Sequence, residues 1–176
     1  MAGMMGIPTL IQEQNSYAGV TNKLLAKKAR KICVAYDGIE RFFEKDKIIL
    51  TGNPVRQGLR NHHISREDAI RSFGLDPSKK TILIVGGSLG ARTINNCVME
   101  GLDKIKASGA QFIWQTGKIY IGEARAAVAQ AGELPMLHVT DFISDMAAAY
   151  SAADLIISRA GAGSFSEVSV FQKPLT

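Results

Sequence analysis

Two glycine loops carry the residues of this sequence whose types and spacing suit chemistry. In the first, the β-branched and apolar run Thr81-Ile82-Leu83-Ile84-Val85 stops at Gly86-Gly87; Ser88-Leu89-Gly90 follows, and a helical pattern begins. In the second, Leu155-Ile156-Ile157-Ser158 leads into Arg159-Ala160-Gly161-Ala162-Gly163, and Ser164 is expected to open a helix. A strand that ends in glycines ahead of a helix presents backbone N–H groups to an anion, a phosphate above all. Gly90 stands where the first loop enters its helix, and a side chain there would crowd a diphosphate or force an unfavourable turn. For either loop alone, the alternative is a tight strand-to-helix turn that binds nothing. In a parallel sheet, however, both loops emerge at one carboxyl edge, where ligands bind. The turn Asp141-Phe142-Ile143-Ser144-Asp145 follows a third strand on that edge. Three loops suffice for a base, a ribose and a diphosphate.

The loops do not match the common nucleotide fingerprints. Gly86 to Gly90 does not read G-x-G-x-x-G, and the next strand ends in Gln115-Thr116 where a nicotinamide site wants a ribose-binding carboxylate. No G-x-x-x-x-G-K-[ST] occurs, since Gly117-Lys118 is followed by Ile119, and no D-x-D pair exists to hold a metal–diphosphate. The chain therefore offers a phosphate cradle with neither metal nor cofactor implied. Glu167 reads two ways. Ser164-Phe165-Ser166-Glu167 is S-x-x-E, a capping box in which Glu167 reaches back to the Ser164 N–H; alternatively its carboxylate accepts the two hydroxyls of a ribose. Arg92 pairs with a surface carboxylate or meets a phosphate, the former being favoured. His62, His63 and His138 have no neighbour in sequence that suggests catalysis, and are read as structural or solvated.

The elements that must position these loops alternate along 176 residues. Strands are expected at 9–12, 32–36, 48–51, 81–85, 111–115, 137–139 and 155–158, and helices at 20–29, 66–73, 91–107, 122–131, 145–152 and 165–171. That alternation predicts an α/β protein of parallel sheets joined by right-handed crossovers. An apolar content of 46% with 21% charged residues allows a core. No run of 18 apolar residues occurs, and the start MAGMMGIPTL lacks the basic stretch and long apolar segment of a signal peptide. Cys33 and Cys97 sit in apolar patterns and are expected to be buried, reduced thiols. The net charge is +5, much of it from Lys23, Lys27, Lys28, Arg30 and Lys31. That cluster reads first as a solvated helix face and second as a contact for an anionic surface; without interleaved aromatics it does not suggest a nucleic-acid partner. Gly52-Asn53-Pro54-Val55-Arg56 is the expected hinge between two αβ blocks. The chain opens almost at once into a strand and closes on Lys173-Pro174-Leu175-Thr176, which looks like the start of another. It is therefore expected to be an internal fragment.

The segments IPTLIQEQNSYAGVTNKLLAKKA, TGNPVR, VGGSLGAR, WQTGK, DFISDMAAAYSAADLIISRAGAGSFSE and KPLT, in this order, resemble the family of bacterial glycosyltransferases that complete lipid II. The resemblance implies two incomplete Rossmann-like domains of the GT-B arrangement: the end of an acceptor domain (1–54) and the first part of a UDP-sugar donor domain (55–176). It implies an inverting transfer of N-acetylglucosamine from UDP-N-acetylglucosamine to lipid I, the undecaprenyl-diphosphate acceptor, at the cytoplasmic face of the inner membrane. By the same resemblance Arg56 reads the donor nucleotide, Ser88 meets the diphosphate beside Gly86, Gly87 and Gly90, and the backbone of Ile143 contacts uracil. Ala162, Gly163, Ser164, Phe165, Ser166 and Glu167 wrap the nucleotide with Glu167 on the ribose, and Asn15 lies near the sugar in the cleft. No catalytic residue is expected within this stretch, because the family's histidine-bearing N-terminal loop is not part of it. Nor is the D-H-Q segment that holds the sugar hydroxyls. Leu89 stands where the family commonly has glutamine. A fragment that binds nucleotide sugar without turnover is the alternative, and a Rossmann dehydrogenase a remote one.

Overall fold

The structure is a computed structural model that describes residue 2, residues 5–60 (Arg60 by its backbone alone) and residues 63–176. His62 lies outside the described residues. The chain divides into two compact units, Met1–Val55 and Arg56–Thr176.

The first unit is a three-stranded parallel sheet in the order β1 (Leu10–Glu13), β2 (Lys31–Val34), β3 (Ile48–Leu50). Alternation along β2 turns Ile32 and Val34 into a core with Ala18, Ala26, Ile39 and Phe43. Helix α1 (Val20–Ala26) is shorter than its pattern suggests. Its last turn tightens as Lys28 N–H reaches the Leu25 carbonyl, and Arg30 N–H is already donated to Thr9, so the chain leaves the helix to enter the sheet. Lys23 is not simply solvated: its ammonium lies 4.2 Å from the centre of the Tyr17 ring and 4.3 Å from that of Phe42. A 3₁₀ turn at Lys45–Lys47, which no sequence pattern announced, leads into β3.

The second unit begins with α2 (Gln57–Arg60) and α3 (Arg66–Ser72), the latter capped by Ser65, whose hydroxyl accepts the Asp68 N–H. Its sheet has the order β6 (Leu137–Thr140), β5 (Gln111–Gln115), β4 (Thr81–Val85), β7 (Leu155–Ser158), all parallel. From β4 the chain runs outward to β6, then crosses back to set β7 on the other side of β4. The switch point of the sheet therefore lies between the carboxyl ends of β4 and β7, which carry the two glycine loops. Opposite directions of travel put the crossover helices on opposite faces. On one face, α4 (Arg92–Glu100), α5 (Leu102–Ala107) and α6 (Ile121–Ala131) cover Ile84, Phe112 and Trp114. On the other, α7 (Met146–Ala152) packs against α3 and β4 through a nearly unbroken buried run of alanines and Tyr150. The last helix is α8 (Ala162–Val170). Beyond it Leu175 pairs in parallel with Ile156, bonded through Pro174 and Thr176.

The single helix expected at 91–107 breaks at Gly101, which sits at φ −97°, ψ 9°. Glycine is the poorest helix former after proline, and the kink falls on it. The cysteines also differ from expectation: Cys33 is only half-buried and Cys97 is exposed, because Cys97 falls on the outer face of amphipathic α4. At the amino edge of the sheet, Asp154 accepts the Thr81 N–H (2.9 Å), Arg66 Nη2 (2.7 Å) and Lys80 Nζ (3.1 Å). Burial alone would raise the pKa of this carboxyl; those three donors outweigh it and bring it to about 2.

Candidate functional site

The first glycine loop is closed by a bond from Gly90 N–H to the Gly87 carbonyl (2.9 Å), with Gly87 at φ +88° and Gly90 at φ +83°. Its three glycines do different work. A Cβ at Gly86 would stand 2.5 Å from the Ala91 nitrogen, and one at Gly90 would overlap the Thr116 carbonyl. Gly117 in turn admits no side chain because Gly90 lies against it. Gly86 is thus required by the closure of its own loop and Gly90 by the packing of that loop on the β5 turn, whether or not a diphosphate is present. Gly87 opens onto free space, so it is here that the backbone is approachable. Ser88 and Leu89 form the exposed tip.

Gln115, the last residue of β5, ties two of the loops together. Its Nε2 donates to the Gly87 carbonyl (3.2 Å), and its Oε1 accepts the Ile143 N–H (2.9 Å). The Ile143 amide is therefore already engaged, and its side chain is buried. Behind them Asn95, fully buried on α4, accepts Trp114 Nε1 and donates to the Thr116 carbonyl. A buried amide with both ends satisfied fixes the β5 turn.

Helix α8 starts at Ala162, with Gly161 as the extended N-cap residue. The capping box at Ser164 does not form: Ser164 is already inside the first turn, and Glu167, one turn further on, points to other partners. The reason is local, since Gly161 takes the N-cap backbone geometry three residues before the first serine. The Ala162, Gly163 and Ser164 N–H groups then have no carbonyl of the helix to meet, because the first such bond runs from Phe165 to Gly161. Ser164 lines a hollow of about 350 Å³, with Val85, Gly86, Gly87, Arg159 and Gly161. Phe165 stays exposed, and Ser166 turns its hydroxyl back to the Ala162 carbonyl.

Glu167 is the centre of a polar cluster. Arg56 approaches it as a fork, Nε to Oε1 at 3.0 Å and Nη2 to Oε2 at 3.2 Å, and the Tyr150 hydroxyl donates to Oε2 at 3.2 Å. The glutamate hydrogen bond raises the pKa of Arg56, so the guanidinium keeps its charge. Burial first, and the glutamate charge second, push the Tyr150 phenol well above its usual range. A second hollow of about 340 Å³ lies beside Arg56, walled by Gly58, Leu59, Ser144, Met146 and Ala147. Arg56 and Glu167, which the resemblance assigned to separate parts of a nucleotide, are thus bonded to one another. Arg92 is exposed and makes no ion pair among the described residues.

Asn15 belongs to the first unit and is bound within it. Glu13, 2% exposed, accepts the Asn15 N–H and Nδ2, the Gly19 N–H and Asn22 Nδ2, at 2.8–3.1 Å. Burial works to raise the Glu13 pKa, but these bonds prevail and lower it. Sequence reasoning passed over Glu13, Gln115 and Tyr150. Gln115 and Tyr150 sit in apolar stretches, and a polar side chain at an inward position of such a stretch is the signal that could have found them; Glu13, within Gln12-Glu13-Gln14-Asn15, carried no such signal.

Residues 81–176 match the model of the glycosyltransferase family 28 C-terminal domain. The chain is 95% identical over 175 residues to the UDP-N-acetylglucosamine–N-acetylmuramyl-(pentapeptide) pyrophosphoryl-undecaprenol N-acetylglucosamine transferase of Phocaeicola vulgatus, covering 99% of this chain and 46% of that one. To the Bacteroides fragilis protein of the same name it is 70% identical, with the same coverage. It thus spans about half the length of the curated relatives it matches. Among solved structures, MurG of Acinetobacter baumannii superposes with a TM-score of 0.63 at 32% identity, over 97% of this chain and 45% of that one.

Proposed function

We propose, from the premise that the chain belongs to glycosyltransferase family 28, that it serves in moving N-acetylglucosamine from UDP-N-acetylglucosamine to the undecaprenyl-diphosphate-linked acceptor of peptidoglycan synthesis. Its second unit is the donor-binding part. The observation that carries this reading is the N-terminus of α8. The helix begins there with three N–H groups that lack a helix carbonyl, Ser164 lines the same hollow as the approachable Gly87, and Glu167 follows one turn later. A diphosphate in the hollow meets the positive end of the helix and the backbone of both glycine loops, with Ser88 at its rim. The ribose hydroxyls lie on Glu167. The uracil takes the hollow beside Arg56, next to the turn that holds Ile143.

During transfer the acceptor hydroxyl attacks the sugar's anomeric carbon and gives up its proton to a base outside this stretch of chain, while UDP leaves with the electron pair of the broken C–O bond. N–H groups already fixed at the helix start stabilise the negative charge as it grows on the diphosphate. The helix start supplies the stabilisation that this reading needs. Asn15, in the first unit, is assigned to the sugar.

The first unit carries the acceptor side. The basic residues Lys27, Lys28, Arg30 and Lys31 are exposed around the apolar Val20, Leu24 and Leu25 of α1. Such a surface suits the anionic cytoplasmic face of the inner membrane, at about 1 kcal/mol per basic residue. No helix among the described residues is long and apolar enough to cross a membrane.

Calorimetric titration of the 176-residue chain with UDP and with NADH tests the central reading. UDP should bind and NADH should not. Absence of UDP binding, or a preference for NADH, overturns it.

A further inference from the structure

We propose that Tyr150 is a positioning residue for the donor ribose: its hydroxyl holds Oε2 of Glu167 so that the rest of the carboxylate faces the ribose 2′- and 3′-hydroxyls. This rests on the reading of Glu167 as the ribose acceptor.

Tyr150 is 3% exposed, in a helix whose other residues after Met146 are alanine and serine, and its ring packs 5.2 Å from that of Phe171. A buried phenol must find a polar partner, and here the partner is Oε2 of Glu167 at 3.2 Å. Packing of the ring fixes where the hydroxyl stands. Because burial and the neighbouring carboxylate resist its ionisation, it remains a donor throughout the working pH range. Arg56, the other partner of Glu167, is of a different kind: its side chain is 60% exposed, so its long stem is held less firmly than the buried ring of Tyr150.

A carboxylate offers about four acceptor directions. Tyr150 takes one and the arginine fork two, while a ribose diol needs two. Ribose binding therefore requires Arg56 to give up at least one direction, and requires nothing of Tyr150. The tyrosine keeps the carboxylate from turning as the arginine leaves, so that less rotational freedom is lost when the diol arrives.

The test uses Tyr150→Phe in the full chain, which keeps the ring and removes only the hydroxyl. Affinities for UDP and 2′,3′-dideoxy-UDP are measured by calorimetry, with thermal melting alongside. UDP should bind about fivefold more weakly, the worth of one net hydrogen bond, while dideoxy-UDP is unchanged. With Glu167→Gln already present, adding Tyr150→Phe should leave the ratio of the two affinities where it was. Equal weakening of both ligands reduces Tyr150 to a packing residue and overturns the proposal, as does no change in either. If Glu167→Gln abolishes the preference for UDP and Tyr150→Phe does not touch it, this proposal alone falls. If Glu167→Gln leaves the preference intact, the ribose reading falls and takes the proposal with it.

Discussion

Glu13 and Glu167 are both glutamates held by hydrogen bonds, one in each unit, and their donors come from different places. Glu13 is met by the backbone of Asn15 and Gly19 and by the amides of Asn15 and Asn22, all within nine residues of it along the chain. Glu167 is met by Arg56 and Tyr150, from separate elements, and its side chain keeps 19% of its exposure. A carboxylate saturated by its own loop is a structural pin: to release it would unpair four donors of that loop at once. A carboxylate bonded by one fixed phenol and one mobile guanidinium can change partners. The difference separates a residue that makes the fold from one poised to meet a ligand.

The largest expected effect tests the pin. Glu13→Ala unpairs four part-buried donors, and we expect the first unit to lose about 2–3 kcal/mol in chemical denaturation. UDP affinity should not change. A Glu13→Ala chain of undiminished stability would erase the contrast.

Asp154 supplies an intermediate case, paired to α3 and β4 but about a quarter exposed. Its folded pKa of about 2 lies below the ordinary 3.8. Its contribution is thus complete above the unfolded value and is lost as pH falls through the folded one. We expect about 1–2 kcal/mol of stability to vanish between roughly pH 5 and pH 2, after allowing for solvent screening. The measurement is urea denaturation across that range, and Asp154→Asn should flatten the curve.

Glu167→Gln should reverse the pattern of Glu13. UDP binding weakens about tenfold, as expected for loss of charge-assisted bonds to a diol, while stability changes little. Calorimetry and thermal melting on one preparation check both halves. A large fall in melting temperature with unchanged UDP affinity would make Glu167 a second pin.

The smallest effect concerns Arg56. Since its guanidinium stem is mostly exposed, Arg56→Ala should alter stability by less than about 1 kcal/mol. It should nevertheless relax the preference for UDP over other nucleoside diphosphates, measured by competition. Intact discrimination would remove Arg56 from the base hollow.

The sequence by itself determined the strands of the second unit that carry the glycine loops. The runs 81–85, 111–115 and 155–158 have the limits that β4, β5 and β7 show, because a continuous β-branched or apolar run between glycine and polar breaks has few other local solutions. It also determined the parallel, alternating architecture and the glycine turns, since strand–helix alternation and positive φ are written locally. Three-dimensional packing decided the rest. S-x-x-E at Ser164 is a valid capping signal, but Gly161 starts the helix earlier, and Glu167 finds a partner 111 residues away in Arg56. The neighbours of Gly90 and Gly117 are each other, across two loops. Gln115 was legible only as the absence of a ribose-binding acid, whereas in the fold it joins the turns after β4 and β6. A side chain's partners across the fold depend on which strand lies beside which, and the return of β7 to the side of β4 is fixed by the burial of the whole sheet. No window of local sequence contains it.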